Sequence, residues 1–201
     1  MPAGLTGEIV GVLLAAGAST RFGSDKLWAP LPDGTPVALA SARALLAGTD
    51  RALVVLRPER SELGKFLCAH GMQPVVCQDA AAGMGASLAC GVKAAAEAAG
   101  WLIALADMPF LRSSTVSAVA QAVRAGALIA APVWNGRRGH PVGFGRQCYP
   151  ALATLRGDTG ARELLAAHAD RITRVRCDDP GIMRDIDLPS DLPIAGGLPA
   201  R

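Results

Sequence analysis

The chain has 201 residues, 51% of them hydrophobic, with 20 Lys or Arg against 17 Asp or Glu and a formal charge of +3. That length suits one domain with a sizeable core, and the apolar content argues against disorder except at the ends. Three Trp, one Tyr and four Phe offer few surfaces for base stacking, and no basic run exceeds a pair such as Arg137-Arg138, so a nucleic-acid partner is disfavoured.

Residues 1–8 carry no positive side chain and no long apolar core, so they read as neither a secretory signal nor a transit peptide. No apolar stretch reaches about 18 residues, which predicts no membrane span and a cytoplasmic location. The first structured stretch runs from Ile9 through an apolar strand into Leu14-Ala15-Ala16-Gly17-Ala18-Ser19-Thr20-Arg21-Phe22-Gly23-Ser24-Asp25-Lys26. A buried strand that breaks into residues with almost no side chain brings backbone N–H groups close to an anion. Arg21 and Lys26 add full charges, the guanidinium as a fork and the ammonium as a mobile point charge, so the loop is a candidate phosphate binder. The spacing is not that of a P-loop, in which Lys follows the second glycine directly, nor of a dinucleotide fingerprint. An ordinary glycine-rich turn with two solvated cations uses the same residues.

Beyond the turn-forming residues 27–36, Pro36 can open a helix over 37–47, followed by a strand at 52–56, a helix over 58–70 closed by Gly71, and a strand at 74–77. Strand, helix, strand, helix, strand is the opening of a doubly wound α/β fold. The next loop, Gln78 to Leu88, runs into an alanine-rich helix expected to end near Gly100. Gly83 and Gly85 permit unusual backbone angles there, and Ser87 can cap the helix or bond a ligand edge. A fourth strand spans 101–106, and Asp107 ends it at the edge where open α/β sheets bind ligands. One carboxylate opposite a phosphate loop suits Mg²⁺, which takes one or two carboxylates plus phosphate oxygens and water. Ser113 and Ser114 are placed to cap the helix over 113–124.

A strand at 127–133 leads to Asn135-Gly136, the strongest short hairpin signal, which predicts antiparallel pairing or a flap in the C-terminal half. Asp158 and Thr159 are candidate caps for a helix running to Ala169, and Arg162 could reach an anionic acceptor. A late strand spans 172–176. In Asp185-Ile186-Asp187 the two carboxylates share a face of an extended segment, so one can complete the metal site, and Asp187 is the choice. The domain is expected to end at 192, with a flexible tail over 193–201. Cys68, Cys77, Cys90, Cys148 and Cys177 show no paired spacing and read as reduced core thiols. His70, His140 and His168 lack metal-ligand spacing.

The loop Leu-Ala-Ala-Gly-x-Ser-x-Arg-Phe-Gly-x-x-Lys resembles the signature loop of the MobA-like nucleotidyltransferases, and is most similar to that of the molybdenum cofactor cytidylyltransferases. Later segments extend the likeness over nearly the whole chain: Gly83-x-x-x-Ser87-Leu88, Gly139-His140-Pro141-Val142, Gly157-Asp158-x-Gly160-Ala161-Arg162, and the closing Asp185-Ile186-Asp187-x-Pro189-x-Asp191-Leu192. The resemblance implies a Rossmann-like three-layer sandwich of the nucleotide-diphospho-sugar transferase type, its sheet mostly parallel. It implies transfer of CMP from CTP to the terminal phosphate of a molybdopterin-type cofactor, with Mg²⁺ and release of pyrophosphate. Transient contact with a molybdoenzyme or its chaperone is implied too.

On the same resemblance, Leu14, Ala15, Ala16, Gly17, Arg21, Lys26, Gln78, Gly83 and Ser87 bind the nucleotide, with Gln78 standing where many relatives carry Asn. Gly139, His140, Pro141 and Arg162 face the acceptor, although His140 can equally hold the turn. Arg21, Lys26 and Asp107 are the catalytic set, and Asp107 and Asp187 the metal ligands. Ala16 stands where guanylyl enzymes usually carry Gly, which favours CTP over GTP. Another triphosphate or a sugar-phosphate acceptor, and a regulator that binds nucleotide without turnover, are the competing readings.

Overall fold

The computed structural model describes residues 7–17, 22 and 25–193. Ser19, Thr20, Arg21, Gly23 and the chain from 194 onward, with their expected loop and tail roles, lie outside the described residues. In chain order the elements are β1 (Ile9–Leu14), α1 (Val37–Leu46), β2 (Arg51–Leu56), α2 (Ser61–Cys68), β3 (Gln73–Val76), α3 (Met84–Ala94) and β4 (Gly100–Leu105). There follow α4 (Ser113–Arg124), β5 (Ile129–Trp134), β6 (Arg137–Arg138), β7 (Val142–Gly145), α5 (Tyr149–Ala153), α6 (Arg162–Ala167) and β8 (Ile172–Arg176).

All six residues of β1 are buried because the strand sits between β2 and β4, parallel to both, and is covered on both faces. Its side chains alternate: Ile9 and Leu13 join a core with α1, α2 and α4, while Val10, Val12 and Leu14 join a second core with α3 and α5. The result is a three-layer α/β sandwich. Gly91 lets α3 lie against the sheet, since a Cβ there would stand 2.5 Å from Val12 and 2.8 Å from Val55.

The sheet runs β3-β2-β1-β4-β7-β5-β6, with β8 also pairing β5. β1 to β4 are mutually parallel, β7 is antiparallel to β4 and β5, and β8 is parallel to β5. The antiparallel half expected from Asn135-Gly136 is present: φ is positive at both residues (47° and 77°), as a tight hairpin requires, and β5 pairs with β6. Ala130 pairs with Gly143 but Val133 with Arg138, so the partner strand bulges at Gly139-His140-Pro141, where the His140–Pro141 peptide is cis.

Some expectations change. The alanine-rich helix stops at Ala94, and Gly100 already belongs to β4; the Ala95 carbonyl accepts from Ala98 N and from the Trp101 indole at 3.1 Å, so the chain turns there instead of continuing. Neither Ser113 nor Ser114 caps α4. Buried Asp179 does so from the far end of the chain, its Oδ2 accepting from Arg112 N at 3.0 Å and Thr115 Oγ1 at 2.7 Å. Of the five thiols, Cys68 is exposed, not in the core. No helix among the described residues is long and apolar enough to cross a membrane.

Candidate functional site

The parallel strands deliver their C-terminal ends to one edge of the sheet. Leu14, Ala15, Ala16, Gly17, Lys26, Gly83, Ser87 and Asp107 share a cleft of about 560 Å³ there. The ladder continues past the strands, with Ala15 N donating to Val55 O at 2.9 Å and Ala106 N to Leu14 O at 3.1 Å. The small-residue loop and the strand-end carboxylate are thereby fixed against each other by backbone.

Lys26 is the centre of the charge arrangement. Asp25 starts the short turn that carries it, Oδ1 accepting from Leu27 N at 3.2 Å. The Lys26 ammonium then stands 2.7 Å from Asp107 Oδ2 and 2.8 Å from Asp187 Oδ1. Burial opposes its charge, but hydrogen bonds and Coulombic attraction, from Asp107 first and then Asp187, outweigh burial and hold it above the usual lysine range. Asp187 reaches this point from a segment pinned by Ile186 N to Asp107 O at 2.9 Å and by Asp191 Oδ2, which accepts from Asp187 N at 2.9 Å and Leu188 N at 2.7 Å. Asp107 Oδ1 is buried and has no hydrogen-bond partner among the described residues.

The glycines serve docking. A Cβ on Gly83 (φ 114°) would collide with Asp158 and Gly157, and one on Gly85 would lie 2.6 Å from Arg156 O. Gly85 N donates to Gly157 O at 2.7 Å, so the two loops close face to face over the cleft. Asp158 consequently lines the cleft and does not cap α6, which starts later, at Arg162, without a side-chain cap. Ser87 is not a cap either: its hydroxyl donates back to Gly83 O at 3.4 Å from the first turn of α3.

The expected acceptor residues gather less completely. Gly139 and His140 line a second cleft of about 300 Å³ with Arg138, Asp185 and apolar side chains, and Leu105 is common to this cleft and the first. His140 N donates to Ile182 O at 3.0 Å, while its Nδ1 is buried with no partner among the described residues. Burial pushes the imidazole down to about 4, against the pull of Asp185 and with the push of Arg138. Pro141 forms the cis peptide beside it, and Arg162 is exposed at the start of α6. Gln78 does not join the main cleft; it lines a separate one with Cys77, Asp79, Cys90 and Lys93.

A model of the MobA-like NTP transferase domain matches residues 11–172. The chain belongs to this family. This MobA-like chain is 34% identical to the purine catabolism protein PucB of Bacillus subtilis over 91% of its length and 93% of that protein. It is 32% identical to nicotine blue oxidoreductase of Paenarthrobacter nicotinovorans over 89% and 92%. Among solved structures it resembles a nucleotidyl transferase from Methanothermobacter thermautotroptrophicus, with a TM-score of 0.79, 26% identity and coverage of 92% and 94%. Rv0371c of Mycobacterium tuberculosis, solved also as a manganese complex, gives a TM-score of 0.74 in that form, at 25% identity and coverage of 92% and 95%. The chain is thus a nucleotidyltransferase with the expected α/β fold.

Two arginines of this MobA-like domain escape a reading of the sequence. Arg57 Nε donates to Ala16 O at 2.6 Å, and Arg60 donates to Gly17 O at 2.9 Å while pairing with Asp25 at 3.2 Å. Arg60 therefore ties together Gly17 and Asp25, at the two ends of the loop that leaves β1. Both sit just after β2, and the one signal for them is that a strand parallel to β1 must end beside the loop that leaves β1.

Proposed function

We propose that this protein, through a domain over residues 1–192 acting in the cytoplasm, transfers CMP from CTP to the terminal phosphate of a molybdopterin-type cofactor with Mg²⁺. The observation that carries the reading is Lys26 between Asp107 and Asp187 beneath a loop of residues almost without side chains. Two carboxylates gathered at one point, one of them with a buried oxygen left without a partner, suit a divalent cation that also takes phosphate oxygens. That Rv0371c has been solved as a manganese complex supports the use of a divalent cation. Asp107 and Asp187 would hold the ion, which when bound supplies charge neutralisation at the phosphate oxygens.

The acceptor's phosphate oxygen attacks the α-phosphorus of the nucleotide, and the bond from that phosphorus to the pyrophosphate oxygen breaks. Lys26 and Arg21 offset the charge that grows on the leaving pyrophosphate. The acceptor phosphate is already an anion near neutral pH, so no general base is needed. The acceptor enters by the cleft that shares Leu105, where His140 is neutral near pH 7 and available as a hydrogen-bonding group. The Ala16 methyl narrows the space beside the base, which a pyrimidine tolerates better than a purine. The product passes by transient contact to a molybdoenzyme or its chaperone.

Pyrophosphate release tests the reading directly. Turnover is expected with CTP and a phosphorylated pterin, and less with GTP. Equal or better kcat/KM with GTP would overturn the nucleotide choice, turnover confined to sugar phosphates the acceptor, and tight CTP binding without any turnover the enzymatic reading.

A further inference from the structure

The cleft charges do not add up to a triphosphate site if Lys26 is the whole of the described cationic lining. Its ammonium is already committed to two carboxylates, at 2.7 and 2.8 Å, and Asp158 adds another negative group to the wall. Arg57 is the cation that lines the same cleft without a carboxylate partner among the described residues. Its Nε is spent on Ala16 O at 2.6 Å, while its two terminal nitrogens make no hydrogen bond or ion pair among the described residues. The side chain is half-buried and lines the cleft, and neither terminal nitrogen is among the buried atoms left without a partner in the described residues.

The Ala16 contact has its own electrostatic effect. A peptide carbonyl and the following N–H point in opposite directions, so a carbonyl held toward Arg57 turns the Gly17 N–H away from it. The guanidinium also masks the partial negative charge of that carbonyl, which would otherwise repel an anion at the loop. A rigid planar fork can do this with one edge and meet phosphate oxygens with the other; an ammonium cannot do both.

Resting on the nucleotidyltransferase reading above, we infer that Arg57 is a direct ligand of the nucleotide's phosphate chain, as well as the residue that orients the Ala16 carbonyl. Its contribution should grow with the number of phosphates. Binding of CTP, GTP and their monophosphates to the full-length wild type, Arg57→Ala and Arg57→Lys, measured calorimetrically with Mg²⁺ present, tests this. Arg57→Ala should weaken the bound triphosphate roughly 10- to 100-fold and its monophosphate far less. Arg57→Lys should recover part of the loss, and carries the same comparison if the alanine variant fails to fold. A wild type that binds no nucleoside triphosphate would overturn the nucleotidyltransferase reading and this inference with it. A wild type that binds, with variants that bind as well or that lose tri- and monophosphate by the same factor, would overturn the role of Arg57 alone.

Discussion

Lys26 shows how much one side chain can do when the fold brings distant residues to it. Phosphate chemistry and metal chemistry looked like separate tasks in the sequence, with Lys26 assigned to one and Asp107 and Asp187 to the other. In the structure they meet at one ammonium, so the lysine occupies the place between the carboxylates that a cation would otherwise fill. Replacing Lys26 by Ala should lower kcat/KM roughly 30- to 1,000-fold, the loss of one charge-assisted contact in the transition state. Without nucleotide, Lys26→Met should bind Mn²⁺ roughly tenfold more tightly than wild type, because two carboxylates lose their internal counter-ion. Paramagnetic titration of the free protein would show it, and unchanged or weaker binding would mean that the lysine does not compete for the site. Asp107→Asn and Asp187→Asn should each demand much more Mg²⁺ for the same rate, and a wild-type magnesium dependence in either variant would remove that ligand.

At the scale of elements, patterns local in sequence were legible and those assembled across it were not. The apolar run of β1, the Gly71 stop after α2 and the Asn135-Gly136 hairpin all carry their cause within a few residues. The cap of α4 does not: Asp179 lies 67 residues beyond the Arg112 amide it accepts from, and two serines at the helix start made a local answer look sufficient. Gly83 and Gly85 were legible as special, but their reason, contact with the loop at Arg156 to Asp158, needs the fold. The Arg57 and Arg60 hydrogen bonds to the loop were missed on the same ground. Asp179 also accepts from Gly181 N at 2.9 Å, so its carboxylate joins α4 to the segment that leads to Asp187. Asp179→Ala would leave those donors unmatched in a buried setting and should cost roughly 2–4 kcal/mol of stability. Urea unfolding measures this, and a loss under about 0.5 kcal/mol, the scale of an ordinary surface change, would show that the helix is capped in another way.

Across the whole molecule, the backbone of His140 links the antiparallel half of the sheet to the edge that carries Asp107 and Asp187. His140 sits in the bulge between β6 and β7 and bonds through its backbone to Ile182. The chain from there runs to Ile186, which bonds Asp107, and to Asp187, which meets Lys26. Nothing in the Gly-His-Pro-Val string foretells this, because the partner strand and the late segment are fixed only when the sheet closes. Burial lowers the imidazole to about 4, from an unfolded value of about 6.5. Between those values the unfolded chain holds a proton that the folded chain does not, so stability rises with pH in this window. The contribution is complete above about pH 6.5 and is lost as the pH falls toward 4. Its full size is on the order of 1–3 kcal/mol, discounted because the residue borders an open cleft. Carboxylates titrate over part of the same range, so the comparison must cancel them. Unfolding free energies of wild type and His140→Phe at pH 7 and pH 5 do so, since both proteins carry the same acids. Wild type should lose more stability than the variant between the two values, by roughly 1 kcal/mol or more. Equal losses would mean that folding does not lower the imidazole, and the pH-dependent contribution of His140 to stability would go with it.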